Sequence, residues 1–182
     1  MKNKKLLCLA FVLAAVKMAF ISAETLPLGY GGVTVGMSVE EVKEALVQNS
    51  DFGYRGERDV SLLTSDQKVI IDTDPLRYNP YSFFKRCYFQ FYKDKLYIIT
   101  LELNTDKIDY HSMYTTLSKK YGNPSFLNPK KSEWSDDAVI IDLEKPLTLK
   151  YTDKAVSESI LEGINQDKSG TEKSKDQFLG GL

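Results

Sequence analysis

Two side chains stand out as candidates for chemistry in this 182-residue sequence: His111, the sole histidine, and Cys87, the only thiol beyond the first eight residues. Paired, an imidazole could take the thiol proton and leave a thiolate to attack a carbonyl carbon. Their settings argue against it. His111 falls at the start of a helical pattern, and Cys87 shares a strand face with Phe89 and Phe91, where a thiol is ordinarily buried and inert. Zinc would need more His and Cys ligands than the chain holds, so neither a metal nor a cofactor is expected. The triplets "DTD" at 72–74 and "SDD" at 135–137 could offer oxygens to a hard cation, but they lack the glycine and spaced acids of a calcium loop and read as turns. Paired carboxylates for glycoside hydrolysis have no sequence spacing that would mark them.

Residues 31–46, "GGVTVGMSVEEVKEAL", pose a different question, because glycines opening onto a helix can cradle a phosphate. A Walker loop places lysine and a hydroxyl residue after its last glycine, and a dinucleotide fold needs GxGxxG; neither is present. Glu40 and Glu41 in the first helical turn would also repel an anion. "GMSVE" fails as a nucleophile elbow, since Glu40 stands where the last glycine belongs. Gly36, Met37 and Ser38 are instead expected to determine the fold, with Ser38 capping a helix over 39–48 and Glu41 completing a capping box.

The arginines are unevenly placed. Arg55, Arg58, Arg77 and Arg86 are the only four in the chain and fall within 32 residues, the last two bounding "RYNPYSFFKR", which adds Tyr78, Tyr81, Phe83 and Phe84. Arginine and aromatic residues are enriched in binding hot spots. The segment is therefore a candidate partner-binding surface, in which Arg55, Arg58, Arg77, Tyr78, Tyr81 and Arg86 would meet an acidic or carboxylate-bearing protein through bidentate contacts. The plainer alternative is a loop folded over the sheet, with Phe83 and Phe84 in the core and the arginines in water.

Elements to carry these residues follow from periodicity. Asp109 can cap a helix in which Tyr110, Met113, Tyr114, Leu117 and Tyr121 share a stripe, Lys119 and Lys120 suit its negative end, and Gly122 and Pro124 terminate it. Tyr97, Ile99, Leu101 and Leu103 alternate and pair with "CYFQFY" through a turn at Lys93 and Asp94. A second hairpin spans 139–144 and 147–152, with one wet face. Residues 59–64 and 68–73 are weaker strands split by a turn at 65–67. Clean alternation predicts an α+β fold, a two-layer sandwich of antiparallel sheet with two principal helices packed on one face. A degenerate repeat, 31–104 and 105–152, is visible. Residues 153–164 could form a short helix, and 166–182 are polar enough for a disordered tail.

The first 23 residues, with Lys2, Lys4 and Lys5 before the apolar run Leu6–Val16 and Ala23 at a small-residue site, read as a secretory signal peptide. The apolar run is short for a bilayer span, so no transmembrane segment is expected after leader removal. An exported protein, periplasmic or extracellular, follows. Cys8 leaves with the leader, so no intramolecular disulfide is expected in the single domain 24–165. The leader holds four lysines and no acid, so cleavage would take the formal net charge from −1 to −5. That charge argues against nucleic acid as a partner.

Taken together, the leader, "GVTVGMSVEEVKEAL" and the later antiparallel strands resemble the BamE (SmpA/OmlA) family of small outer-membrane assembly proteins. Gly36, Met37 and Ser38 match that family's turn, with Val42 and Leu46 as inward helix positions. Similar helix-then-strands units occur in tandem in β-lactamase-inhibitory proteins, and "YGNP" with Trp134 is compatible with a second such unit. The family's lipidated cysteine has no counterpart. The resemblance implies a non-enzymatic protein acting through protein contacts, as an accessory or scaffold in cell-envelope assembly. The alternative is a small-ligand-binding protein or a hydrolase of the same compartment.

Overall fold

A computed structural model describes residues 25–56 and 68–180. The expected signal peptide, Cys8, Arg58, the strand at 59–64 and the turn at 65–67 lie outside the described residues. Nine strands are present among them, β1 (Gly29–Tyr30), β2 (Val33–Thr34), β3 (Lys68–Thr73), β4 (Phe84–Tyr92), β5 (Lys95–Leu103), β6 (Phe126–Leu127), β7 (Lys131–Ser135), β8 (Val139–Glu144) and β9 (Thr148–Asp153). β1 and β2 form a two-stranded sheet, and the rest form a seven-stranded one in the order β3-β4-β5-β9-β8-β7-β6. Every pairing is antiparallel. The helices are α1 (Val39–Gln48), α2 (Pro75–Tyr78), α3 (Tyr110–Tyr121) and α4 (Lys154–Leu179).

Register aligns the apolar residues into rows across the strands. Ile71, Phe89, Ile99, Tyr151, Ile141 and Trp134 are successive partners, and all are buried. The neighbouring row on that face is Thr73, Cys87, Leu101, Leu149, Leu143 and Ser132, also buried. Because side chains alternate, the intervening row, Asp72, Tyr88, Thr100, Lys150, Asp142 and Glu133, must lie on the opposite face. Asp142 is only 4% exposed there. It is shielded by two lysines, with Lys131 Nζ at 2.9 Å from Oδ1 and Lys150 Nζ at 3.6 Å from Oδ2. Burial by itself would lower the Lys131 pKa, but the hydrogen bonds to Asp142 and Glu133 outweigh it and hold the ammonium above its ordinary value.

The turn between β4 and β5 works as expected: Lys93 and Asp94 have φ of 49° and 59°, the left-handed pair that matches strand twist in a two-residue hairpin. One register detail differs. A shift between Gln90 and Phe91 brings Leu96, not Tyr97, opposite Phe91, so Leu96 is fully buried and Tyr97 only half so. The bulge leaves Tyr97 out of the alternation that places Ile99, Leu101 and Leu103 inside.

α1 starts at Ser38 with both halves of the capping box formed. Its entry is pinned to the bulged end of β5, because Gly36 N donates to Leu96 O at 2.7 Å and Leu96 N donates to Met37 O at 2.8 Å. Gly36 has φ 92°, a conformation that L side chains rarely adopt. α3 is capped by Asp109 and ends at Gly122, whose φ of 82° and ψ of −167° place it in an extended mirror region rather than the left-handed helical one expected. That region belongs almost wholly to glycine.

The expected two-layer sandwich with two principal helices on one face is overturned. The fold is mixed but mostly sheet: seven strands in one sheet, two in another, and helices that supply little of the interior. α1 buries Val42 and Leu46, and α3 buries only Leu117. Much of the remaining cover comes from Val33 and Val35, and from Phe52 on a 3₁₀ turn at Ser50–Phe52, which stacks on Phe84 and meets Phe89 edge-on. The longest helix, α4, is not one of the two expected. It begins where Asp153 accepts the Val156 N–H and runs through residues 166–179, for which a disordered tail is the sequence expectation.

The double phenylalanine is split by alternation, Phe84 being 6% and Phe83 56% exposed. Phe89→Ala, which opens a void in the central row, is expected to cost about 3–5 kcal/mol of unfolding free energy. Phe83→Ala is expected to change it by under about 0.5 kcal/mol. Urea denaturation followed by the single tryptophan checks both.

Candidate functional site

The two halves of the large sheet meet at β5 and β9, and a cavity of about 270 Å³ opens over that junction. Leu101, Leu103 and Leu149 form its floor, and Ile108 and Met113 come from the α3 side. The opposite wall is the segment from Asn79 to Phe84, with Tyr30 from the small sheet. This wall exists because α2 is short. Asp74 caps it through the Arg77 N–H, Asn79 N closes it on Pro75 O, and Asn79 Oδ1 then turns the chain by accepting from Tyr81 N. Ser82 is buried and fixes the next step, its Oγ accepting the Phe84 N–H at 3.0 Å.

The rim is aromatic and exposed. Tyr81 is 80% exposed, with Lys107 Nζ 5.2 Å above its ring, and Phe83 stands beside it. Tyr30 packs edge-on against both Phe52 and Phe84, so it is a fixed wall rather than a loose side chain. A few residues away, Arg55 and Arg77 lie over the Tyr78 ring at 5.0 and 5.7 Å. No carboxylate among the described residues is within ion-pair distance of either guanidinium.

Of the candidates from sequence, the structure thus brings Arg55, Arg77 and Tyr78 into one cluster and puts Tyr81 on the cavity rim. Arg86 is elsewhere. It sits on the opposite sheet face, paired with Asp72 and over the Tyr88 ring. Strand alternation separates it from Cys87, its neighbour in the chain, which points inward. Tyr30, Ile108 and Met113 were not singled out as site residues; only their approach in space reveals them, because Tyr30 lies nearly eighty residues before the other two in the chain.

Cys87 and His111 are not brought together. Cys87 is fully buried on β4, and burial pushes its thiol up to about 12, so it stays protonated and unreactive. His111 faces a different opening, beside Ser132 on β7. β4 and β7 are separated by β5, β9 and β8, which sets them about 19 Å apart at the usual strand spacing. Among the described residues, no group of three His, Cys, Asp or Glu side chains is placed to hold a metal ion, and no helix is long and apolar enough to cross a membrane.

These features define a mostly-sheet α+β protein with a small apolar cleft at the seam between two helix-and-strand halves. Its family is shown directly: the TP0088 domain model matches residues 28–163, so the chain belongs to that family. No curated protein and no solved structure matches the chain.

The thiol supplies a pH test. In the unfolded chain Cys87 ionises near its ordinary value of 9.0, whereas in the fold it does so at about 12. The folded state therefore holds the proton more tightly. This contribution to stability is complete below pH 9 and is lost as pH rises from 9 toward 12. Cys87→Ala is expected to flatten the decline in that window, measured by urea unfolding at each pH. A thiol reagent at pH 8 is expected to label Cys87 only in denaturant.

Proposed function

We propose that this protein is an exported, non-enzymatic contact protein, an accessory or scaffold in cell-envelope assembly. Its contact site is the cleft over the β5–β9 seam. The observation that carries this is the pairing of an apolar floor with an exposed aromatic rim, Tyr81 at 80% and Phe83 at 56% exposure. Large apolar side chains left in water around a cavity mark a docking surface more often than a reaction centre.

The size of the cavity bears on what enters it. About 270 Å³ is just below the roughly 300–1,000 Å³ of small-molecule pockets and suits one anchoring apolar side chain. Arg55 and Arg77, exposed and without a described carboxylate partner, suit acidic groups on the segment that carries the anchor. The leader and the BamE-like turn at Gly36–Ser38 are the sequence features that support an envelope location. A small-ligand role is the second reading, favoured by the apolar floor alone.

A photo-crosslinking residue at position 81, introduced in the full chain in cells, is expected to give one discrete heteroadduct. Arg77→Ala with Phe83→Ala is expected to reduce its yield at least ~10-fold, the loss of about 1.4 kcal/mol typical of hot-spot residues. Unchanged yield with native circular dichroism would remove the basis for the site. A small apolar molecule that blocks the crosslink without any protein adduct forming would favour the second reading.

A further inference from the structure

A separate opening lies at the other end of the sheet, between α3 and the β6–β7 hairpin. It measures about 560 Å³, and its lining includes Tyr110, His111, Tyr114, Leu127, Ser132 and Lys145. No carboxylate lines it. Tyr110 is held in place by hydrogen bonds from its hydroxyl to Leu143 O at 3.1 Å and with Ser132 Oγ at 2.9 Å. Lys145 Nζ rests 5.4 Å above the Tyr110 ring, and no described carboxylate pairs with it.

One wall of this groove is the outermost strand of the large sheet. Among the described residues β6 pairs only with β7, Phe126 opposite Glu133 and Leu127 opposite Ser132. Asn128 N donates to Lys131 O and closes the turn, so 128 and 131 form a hydrogen-bonded pair. In an antiparallel ladder such pairs alternate with non-bonded ones. Leu127 therefore directs its N–H and C=O away from β7, toward the open edge. Its side chain is 59% exposed and lies on the groove side, with Ser132, while Phe126 lies on the other face under Lys131.

We propose that this groove binds an extended acidic segment of a partner protein by strand addition to β6. The segment's backbone pairs with the N–H and C=O of Leu127. Side chains on alternate residues of the segment face the groove, apolar ones against Leu127 and Tyr114 and carboxylates toward Lys145 and His111. Three independent features converge on that occupant: the edge groups of Leu127 ask for an extended backbone, its exposed side chain asks for an apolar contact, and Lys145, the one charged lining residue, with no acid beside it, selects the charge. The site is distinct from the cleft over the β5–β9 seam and does not rest on the role proposed for that cleft.

Fluorescence anisotropy of the full chain with a labelled peptide of repeating Val-Ser-Glu-Ser, in which valine and glutamate share one face, tests this at low salt. Saturable binding is expected, at least ~10-fold tighter than for the same peptide with lysine in place of glutamate, and weakened by salt as exposed charge pairs are. Lys145→Glu is expected to weaken it several-fold, and Tyr81→Ala to leave it unchanged. Because a proline at Leu127 could disturb the hairpin, the backbone requirement is read from the peptide instead. N-methylation of either all serines or all valines and glutamates is expected to abolish binding in the one phase that faces β6. Equal affinity for acidic and basic peptides would overturn the proposal, as would full binding by both methylated forms or no binding up to ~1 mM.

Discussion

Five residue pairs between β5 and β9, from Ile98 opposite Thr152 to Glu102 opposite Thr148, join what would otherwise be two small sheets. β3-β4-β5 is one antiparallel meander and β9-β8-β7-β6 another, and among the described residues this is the only ladder between them. A three- or four-stranded meander with one or two buried helical side chains has little interior of its own. Joined, the two expose continuous rows of apolar residues to a shared core, where Ile99 and Tyr151 lie side by side across the seam. The large buried aromatics Phe52, Phe89 and Phe91 serve the first half, and Trp134 the second.

The cleft is a consequence of the same junction. α1 enters beside Leu96, held by the Gly36 and Met37 hydrogen bonds, and α3 is tied through Tyr110 to β7 and β8 and through Gly122, whose carbonyl accepts the Trp134 indole N–H at 2.9 Å. Each helix is thus anchored to its own half. Over Leu101 and Leu149, near the seam, the cover is supplied only by loops and by the edges of neighbouring elements, so an apolar floor stays partly open. The opposite face needs no such cover, because a ladder of lysine and acid side chains spans β7, β8 and β9 and shields its own carboxylates.

Local structure was largely legible. Ser38 with Glu41, Asp109 with Ser112, and the Lys93–Asp94 turn are short-range devices whose partners lie within three residues, so spacing alone announces them. The helices at 39–48 and 110–121 and the strand at 68–73 fall where periodicity places them. β6 and β7 were missed because the two residues of β6, Phe and Leu, are too few to show any alternation, and the five of β7, mostly Lys, Ser and Glu, do not distinguish a strand from a loop. The layer arrangement was misjudged for a related reason. Amphipathic spacing reveals that a helix has an inward face, but not how little of the core that face will fill.

Of the arginine cluster, the chain order indicated proximity for Arg55, Arg77 and Tyr78 but not that Arg86 would turn to the other sheet face and pair with Asp72. The sequence by itself determined the caps, the turns and, away from the bulge at Gln90–Phe91, the inward face of the long strands, since all are set by neighbours a few positions away. Only the tertiary structure decided that β5 would pair with β9, that Tyr30, Ile108 and Met113 would converge on Leu101, and that the Leu127 edge would stay open. Those outcomes rest on contacts between residues tens of positions apart, and strand alternation, which specifies a side, carries no information about which strand will come to lie alongside.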